Sequence, residues 1–428
     1  MRKFGWQAAS KRWITPLEIT TMSEVSLPVS FRDLQKAEAL LKNIIQPTLL
    51  DFSQNLSDRA GVNVYLKCEN LNRTGSFKIR GAYNRMVHLT DEEKSHGVVA
   101  ASAGNHAQGV ALAAKLLGIK ATIVMPHGAS SPKLLATLGY GAEVEQTGQT
   151  IDDCLIRAKE IEHKTGAVLI HPFNHKDIIA GQGTCGLEIL EQCPDVKTIL
   201  VSTGGGGLLA GITTAVKSLR PDVKVIGVQA EQAAAYPLSI KKGKPVAINN
   251  MNTMADGIAV GYPGEIPFEV IRKLTDAIET VSENSLSGAL LFLMERAKLV
   301  VEPAGAAAVA HLLDMPVGHY HGPVVAVLSG GNIDPVLLMR IIRHGMAAEG
   351  RYMHFRVRVP DKPGSLAGIL NDLAGLSANV LEVEHVRTSS ELLINEVEIS
   401  IQIETMGVAH QKKVLASLKK DGYQLLLN

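Results

Sequence analysis

Residues 198–212 read TILVSTGGGGLLAGI. The segment TILVS has the β-branched, apolar composition of a buried strand, and the run from Leu208 predicts a helix. Four consecutive glycines, Gly204 to Gly207, stand between them. Backbone N–H groups without side chains can close around a phosphate at the N-terminus of such a helix. Because no Lys-Ser/Thr pair follows, the stretch is not a P-loop.

Short apolar strands alternate with helices on both sides of this stretch. We predict strands at 62–68, 97–101, 121–125, 143–146, 167–170, 197–202, 223–230 and 324–328. We predict helices at 74–89, 107–117, 131–138, 150–165 and 208–219. This alternation indicates an α/β architecture of parallel sheets covered on both faces. Ligands of such folds bind beyond the carboxyl ends of the strands.

The pattern changes near residue 343. Residues 344–352 are rich in glycine and other small residues and predict a linker between domains. From residue 353 to 428 the order becomes strand, helix, strand, strand, helix, strand, which is the βαββαβ order of a ferredoxin-like fold. At the other end, residues 1–29 predict an extension. Its first 17 residues contain four basic and no acidic side chains, so a transit peptide, a disordered extension and a true start at Met22 stay open.

Composition excludes several classes of protein. The 428 residues include 43 Lys and Arg against 42 Asp and Glu, a net charge of +1, which gives no electrostatic reason to expect nucleic acid or a membrane surface as partner. The four cysteines form no C-x-x-C pair, so we expect no disulfide framework, no metal site and a cytoplasmic location. No apolar run reaches the ~18 residues of a membrane span.

Three further segments follow predicted strands. Lys78 opens a helix in an apolar neighbourhood, where it could be an ordinary surface lysine or, if burial lowers its pKa, a Schiff-base nucleophile or a base. The loop Ser102-Ala103-Gly104-Asn105-His106 precedes a helix and could bind a carboxylate, or simply form a turn with Asn105 as N-cap. Ser329 begins an S-G-G-N segment whose hydroxyl could meet a heteroaromatic nitrogen, or which could be only a tight turn.

Two cofactors fit parts of this set. Gly205, Gly207 and Ala210, with Glu231 at the end of the next strand, match a loose dinucleotide fingerprint. A dinucleotide would leave Lys78 unexplained. Pyridoxal phosphate (PLP) needs a lysine for its aldehyde, a phosphate site, a partner for its ring nitrogen and a donor to its ring oxygen. The sequence therefore favours PLP.

Residues 45–343 resemble the serine/threonine dehydratase family of fold-type II PLP enzymes. The resemblance rests on the segments SFKIRGA, ASAGNHAQGVA, AGQGT, GGGGLLAGI, EPAGAAA and SGGN. It implies a tryptophan synthase β-like catalytic unit, with a small subdomain at about 70–170 inserted in a larger one. It also implies β-elimination from L-threonine, and from L-serine, that yields a 2-oxo acid and ammonia.

The resemblance assigns roles to individual residues. Lys78 would bind the cofactor aldehyde and later act as the base, and Ser329 would face the pyridine nitrogen. Asn105 would face the ring oxygen, while Gly204, Gly205, Gly206, Gly207 and Leu208 would hold the phosphate. The ring would lie beside Phe77 and Phe173. The substrate carboxylate would bind at Ser102, Ala103, Gly104, Asn105 and His106.

The sequence departs from the pattern of the related racemases. They have a serine where this chain has Ala103, and a methyl group has no proton to supply, so we expect little racemisation. Asn174-His175 replaces the usual acidic pair after Pro-Phe, which puts local loop contacts in doubt. A cation loop near Glu231 would lack one ligand, because Pro237 stands where an Asp is expected.

Residues after 352 resemble an ACT domain, a module that binds small ligands. The resemblance implies an amino-acid effector near Lys362, Gly364, Ser365 and Asn379, with isoleucine or another branched-chain amino acid as the candidate. The alternative role for this domain is oligomerisation alone, and we expect a homodimer or homotetramer. Other β-replacement chemistry, a threonine synthase-like activity and a non-catalytic amino-acid sensor stay open as functions.

Overall fold

The computed structural model describes residues 27–387 and 392–427. Nearly all of the predicted N-terminal extension, and Met22 with it, lies outside the described residues. The helices of these ranges do not include one that is both long and apolar enough to cross a membrane.

Strands and helices alternate from residue 31 to residue 348. The strands are β1 (Leu50–Phe52), β2 (Val64–Cys68), β3 (Val98–Ala101), β4 (Ala121–Met125), β5 (Glu143–Gln146), β6 (Val168–Leu169), β7 (Thr198–Ser202), β8 (Lys224–Ala230), β9 (Ala277–Val281) and β10 (Val324–Leu328). The helices are α1 (Phe31–Leu41), α2 (Gln54–Ala60), α3 (Lys78–Val87), α4 (Asp91–His96), α5 (Asn105–Leu117), α6 (Ser131–Gly139), α7 (Ile151–Thr165), α8 (Lys176–Gln192), α9 (Gly207–Leu219), α10 (Ala235–Lys242), α11 (Glu265–Leu274), α12 (Glu283–Phe292), α13 (Pro303–Asp314) and α14 (Pro335–Ala348).

Two sheets form the larger part of the molecule. The six-stranded sheet has the order β1-β2-β10-β7-β8-β9 and is parallel except for the edge strand β1. The second sheet, β5-β4-β3-β6, is wholly parallel and lies within the predicted small subdomain. The central strands β7 and β10 are buried along their whole length, as strands covered by helices on both faces should be. The predicted α/β fold is confirmed.

The C-terminal domain has the predicted βαββαβ order. Its elements are β11 (Tyr352–Pro360), α15 (Ser365–Gly375), β12 (Asn379–Val386), β13 (Glu396–Glu404), α16 (Val408–Lys420) and β14 (Gln424–Leu427). The strands form an antiparallel sheet in the order β12-β13-β11-β14. A separate apolar core, with Phe355, Ile369 and Ile401 fully buried, holds the two helices against one face of this sheet.

The sheet register corrects one predicted effector grouping. Asn379 pairs with Glu404, which pairs with Tyr352 at the start of β11. Lys362, Gly364 and Ser365 follow Pro360 at the far end of the same strand. Asn379 therefore lies at the opposite end of the sheet and does not share a site with that loop within one chain. Arg387, whose Nε lies 3.2 Å from Asp361 Oδ2, is the residue that follows β12 at the loop's end.

The predicted linker at 344–352 is wrong in its extent. Helix α14 continues to Ala348 and β11 begins at Tyr352, so only 349–351 connect the domains. Gly345 favoured a linker in the sequence, but it is buried in the helix, where a Cβ would lie 3.3 Å from the Leu291 side chain. The glycine serves close packing of α14 on α12, not a chain break.

A buried ion network fixes helix α3, which begins at Lys78, against the large sheet. The Arg80 guanidinium donates to Glu69 Oε1 at 2.7 Å and to Glu188 Oε1 at 2.6 Å. Lys67 at the end of β2 donates to the other oxygen of Glu188 at 2.6 Å. Burial opposes ionisation of Glu69, but Arg80 outweighs it and lowers the pKa of Glu69 to about 2. Three elements, β2, α3 and α8, are thereby tied together two residues from Lys78.

Replacing Arg80 by methionine should strongly destabilise the fold, because Glu69 would lose its buried counter-charge. We expect a loss of about 3–5 kcal/mol, measured by urea unfolding at pH 7. The carboxylate of Glu69 stabilises the wild type fully above its unfolded pKa of ~4.3, and that stabilisation is lost as pH falls toward 2. The difference between wild type and Arg80→Met should therefore shrink in acid.

Arg157→Met, which breaks an exposed pair with Glu145, is the control and should shift the urea midpoint little. Equal shifts for the two variants would contradict the account.

Candidate active site

A cavity of about 610 Å³ opens between the two sheets of the α/β unit. It lies beyond the carboxyl ends of β3, β7 and β10, where the predicted loops begin. Every residue predicted for cofactor or substrate binding lines it: Phe77, Lys78, Ser102, Ala103, Gly104, Asn105, His106, Phe173, Gly204, Gly205, Gly206, Gly207, Leu208 and Ser329. The structure therefore brings together side chains that are up to 252 positions apart in the sequence.

Lys78 is the first residue of α3 and its amine faces this cavity. Nζ donates to the Pro172 carbonyl at 3.2 Å and lies 4.9 Å from the centroid of the Phe77 ring. Burial lowers the pKa of Lys78 to about 8, against the opposing charge of Glu302. An amine with this pKa is still mostly protonated at pH 7, but a much larger fraction of it is neutral than of an ordinary lysine, which favours a nucleophile or base. The surface-lysine alternative is wrong.

The glycine loop packs so closely on its surroundings that side chains would not fit. A Cβ on Gly205 would enter the Phe173 ring, and one on Gly206 would meet the Tyr236 hydroxyl. Gly206 also has a φ of +96°, which L-residues rarely adopt, and it is the N-cap of α9. No side chain caps that helix start. The loop thus presents backbone at a helix N-terminus, which suits a phosphate group.

Tyr236 fixes the position of this loop from behind. Its hydroxyl donates to the Gly205 carbonyl at 3.1 Å, and the ring is fully buried against Phe268. Burial raises the pKa of Tyr236 far above its ordinary value, so the hydroxyl stays a donor at any working pH.

In the loop before α5, the backbone faces the cavity, whereas the His106 side chain holds the loop in place. Gly104, not Asn105, is the N-cap, and no side chain caps this helix start either. The His106 Nε2 atom lies 2.7 Å from the Ile170 carbonyl oxygen. Burial lowers the pKa of His106 to about 3, so the ring is neutral and its Nε2–H donates to that carbonyl. The imidazole secures the loop, and only the backbone of His106 is free to meet a substrate.

Asn105 has a fixed orientation. Its Nδ2 donates to Glu302 Oε1 at 2.5 Å, and its Oδ1 accepts from Asn332 Nδ2 at 2.8 Å. Asn332 in turn donates to the Thr74 carbonyl at 2.7 Å. Because an amide nitrogen has two hydrogens, one N–H of Asn105 is left for a ligand in the cavity.

Ser329 is buried directly after β10 and belongs to the same assembly. Its carbonyl accepts from the Phe77 backbone N–H at 3.2 Å, and the next residue, Gly330, forms a β-bridge with Ser76. A Cβ on Gly330 would collide with Glu302 and lie 2.9 Å from Asn105 Nδ2. The S-G-G-N segment therefore needs its glycine to let Lys78, Asn105 and Ser329 approach one another.

Four residues of the site escaped the sequence reasoning. Glu302 and Asn332 stand inside the quoted segments EPAGAAA and SGGN, but nothing local predicts that they hold Asn105. Burial, then the nearby charge of Asp256, raises the pKa of Glu302 to about 7. Lys133 and Asp256 line the mouth of the cavity and form an ion pair of 2.8 Å. Their pairing follows only from the fold.

The region of Glu231 has little to offer a cation. Glu231 is exposed after β8, and Pro237 lies inside α10 without a side-chain oxygen. Within residues 27–387 and 392–427, no three His, Cys, Asp or Glu side chains come together as a metal site would need.

The donor set fits pyridoxal phosphate. The amine of Lys78, with its lowered pKa, suits the cofactor aldehyde, the uncapped glycine loop suits the phosphate, and Asn105 and Ser329 can meet the polar ring atoms. These features define a PLP site in an α/β enzyme.

Comparison with known proteins agrees. The family described as "Pyridoxal-phosphate dependent enzyme" matches residues 41–330. An L-threonine ammonia-lyase of Thermotoga maritima is 45% identical over 397 residues, which cover 93% of this chain and 99% of that protein. The solved processed form of threonine deaminase isoform 2 from Solanum lycopersicum is 37% identical with a TM-score of 0.70, over 73% of this chain and 92% of that one. Maize serine racemase is 34% identical with the same TM-score, over 75% and 99%.

The chain belongs to the family of pyridoxal-phosphate dependent enzymes. The predicted family, cofactor and enzymatic nature are confirmed, and the dinucleotide alternative is excluded. Because 397 residues exceed the 351 that precede β11, the match to the Thermotoga protein must include part of the C-terminal domain.

Replacing Gly206 by alanine should weaken PLP retention severely, because the added Cβ strains the φ of +96° and meets the Tyr236 hydroxyl. The measurement is the ratio of PLP to protein after dialysis. Gly243→Ala is a matched control: its φ is +69°, but a Cβ there meets nothing within 4 Å and the residue is not part of the cavity lining. Both variants should lose some stability, and only Gly206→Ala should lose PLP. Full PLP retention by a folded Gly206→Ala variant would contradict the assigned role of the loop.

Proposed function

We propose that the protein is a PLP-dependent L-threonine ammonia-lyase that converts L-threonine to 2-oxobutanoate and ammonia, and L-serine to pyruvate and ammonia. The observation that supports this most strongly is Lys78, an amine of lowered pKa that lines a cavity together with the glycine loop and an uncapped helix start for a carboxylate. The similarity to proteins named as threonine ammonia-lyases selects the substrate class.

The protein's residues would hold the cofactor at four points. Lys78 would bind the aldehyde, and Gly204 to Leu208 would bind the phosphate. Asn105 would direct its remaining N–H to the ring oxygen, and Ser329 would meet the ring nitrogen, with Phe77 and Phe173 beside the ring. When bound, PLP supplies an electron sink for the negative charge that develops at the substrate Cα.

Lys78 would do the proton chemistry. Nζ, when it is not bonded to the cofactor, would take the Cα proton, and its lowered pKa makes the basic form more accessible than in an ordinary lysine. The substrate carboxylate would bind at the start of α5, where Ser102 and the backbone from Ala103 to His106 face the cavity. In the net elimination the Cα proton and the β-hydroxyl leave together as water, and the resulting enamine tautomerises to an imine that a second water hydrolyses to the 2-oxo acid and ammonia.

Two sequence features shape the outcome of this reaction. Ser329 is a neutral partner for a ring nitrogen and does not enforce its protonation, which favours prompt elimination over transamination. Ala103 offers no acid on the second face of the substrate, so we propose that racemisation is minor. Threonine and serine share the same carboxylate and amine contacts, and the extra methyl of threonine is worth only ~1–3 kcal/mol, so both should react.

Lys78→Ala should abolish 2-oxobutanoate formation from L-threonine, because the variant lacks both the aldehyde-binding amine and the base. The wild type should show the visible absorption of lysine-bound PLP and release 2-oxobutanoate and ammonia in equal amounts. Lys94→Ala, in helix α4, which has no buried residue and does not line the cavity, is the control and should behave as wild type. Visible absorption without 2-oxo acid from threonine or serine would move the function to β-replacement, and wild-type turnover by Lys78→Ala would refute the assigned base.

We also propose that the C-terminal domain is an ACT domain that binds a branched-chain amino acid, isoleucine first, and that it changes the activity of an isoleucine-forming route. The βαββαβ sheet and the loop at Lys362 to Ser365 support this proposal. Gly364 has a φ of +94° and open space around it, and it caps α15 without a side-chain contact. A ligand carboxylate could approach this helix start closely.

Isoleucine should raise the melting temperature of the protein and alter threonine turnover, whereas glycine and lysine should do neither. The thermal shift should persist in Lys78→Ala, because the proposed effector site is not the catalytic cavity. The measurement is a melting curve over a concentration series of each amino acid. Equal shifts with all amino acids, or a shift that Lys78→Ala abolishes, would contradict an effector site in this domain.

A homo-oligomer is the proposed state. The edge strand β12 leaves Leu381 and Val383 exposed, and an apolar strand edge is a surface that a second copy can pair with. The four cysteines are all buried and free, which supports a reducing compartment such as the cytoplasm.

A further inference from the structure

Lys133 is a cation in the catalytic cavity that the proposed chemistry leaves unused. It lies on α6 in the small subdomain, and its side chain is only 16% exposed. Among the described residues that line the cavity, Lys78 and Lys133 are the two lysines, and no arginine joins them. His106 and His171 also line it, but burial lowers their pKa values to about 3 and about 4, so both are neutral. With Lys78 committed to the cofactor, Lys133 is the remaining positive charge.

The ammonium of Lys133 lies at the loop where the substrate carboxylate is expected. A Cβ placed on Gly104 would be 3.9 Å from Nζ. Gly104 is the N-cap of α5, and its helix start has no side-chain cap. The ammonium group and the uncapped N–H groups therefore face the same small volume, and both attract an anion.

Asp256 orients this ammonium group but accepts a hydrogen bond from only one of its N–H donors. Nζ donates to Asp256 Oδ2 at 2.8 Å, across the cavity from the small subdomain to the large one. An ammonium has three N–H donors, so two are left for a ligand. Burial would lower the pKa of Lys133, but Asp256, then Glu302 and Asp334, outweigh it and raise the pKa. Lys133 therefore stays charged while substrate is bound.

We propose that Lys133 is a substrate-positioning residue that pairs with the α-carboxylate of the amino acid at the start of α5, and that Asp256 aims it there. This inference rests on the proposed function only in taking an amino acid as substrate. The carboxylate would replace water on the two free N–H groups of Lys133.

The test compares Lys133→Met, Asp256→Asn and the double variant, with Lys120→Met as a matched control. Lys120 lies in the same subdomain and forms an exposed pair with Glu143 at 3.0 Å. Two quantities are measured. The first is the split between KM and kcat for L-threonine. The second is the dissociation constant of L-α-aminobutyrate and of its carboxamide, read from the visible absorption of bound PLP. The carboxamide is nearly the same shape but lacks the negative charge of the carboxylate.

Lys133→Met should raise the KM for threonine and the dissociation constant of α-aminobutyrate about 10- to 100-fold, the range for a lost hydrogen bond to a charged group. The change in kcat should be smaller, and binding of the carboxamide should change little. Asp256→Asn should have a smaller effect than Lys133→Met. The double variant should bind α-aminobutyrate better than Lys133→Met alone, because the uncompensated carboxylate of Asp256 repels the ligand. Lys120→Met should match wild type.

Two results would overturn the proposal. One is that Lys133→Met weakens the binding of α-aminobutyrate and of its carboxamide equally, which would mean that the lysine does not interact with the carboxylate. The other is that Lys133→Met and Asp256→Asn lose the same affinity for α-aminobutyrate, which would mean that the ion pair only holds the two subdomains together. Since α-aminobutyrate has no β-hydroxyl to lose, its binding tests Lys133 independently of turnover. Absence of 2-oxobutanoate from wild type would instead overturn the proposed function.

Discussion

The close approach of bare backbone at Gly204 to Gly207 is the constraint on which the rest of the site depends. Phe173 and Tyr236 occupy the space that side chains at Gly205 and Gly206 would need. The loop therefore packs closely against these two aromatic side chains just before α9 begins. This packing places an uncapped helix N-terminus in the same cavity as the Lys78 amine, and the polar groups of the other strand ends complete the site around them.

The location of the site was predictable because the carboxyl ends of parallel strands lie along the same edge of a sheet. Glycine, lysine, asparagine and serine each follow a buried apolar strand in the sequence, and the carboxyl ends of parallel strands lie together. Local signals also set most strand and helix bounds. The largest exception is the helix predicted at 74–89, because Arg73–Gly75 form a separate short turn and α3 begins only at Lys78.

Contacts between distant segments were not predictable in the same way. Glu302 holds Asn105 across 197 positions of sequence, and the segment EPAGAAA by itself gives no sign of that partner. Lys133 looks like an ordinary polar residue of an amphipathic helix until α6 is placed over the cavity. Gly345 indicated a chain break, yet it serves helix packing. Asn379 seemed close to Gly364 in a linear order of elements, but strand register separates them by the length of β11. In each case the deciding quantity is a three-dimensional distance that composition and spacing do not contain.

The central claim is that Lys78 binds PLP in this cavity. The most direct test is to reduce the purified PLP-bound protein with borohydride, which fixes the cofactor on the lysine that holds it, and to map the modified peptide by mass spectrometry. The account predicts one phosphopyridoxyl group per chain, on Lys78. Modification of Lys133 or another lysine in place of Lys78, or no modification of a protein that contains PLP, would contradict it.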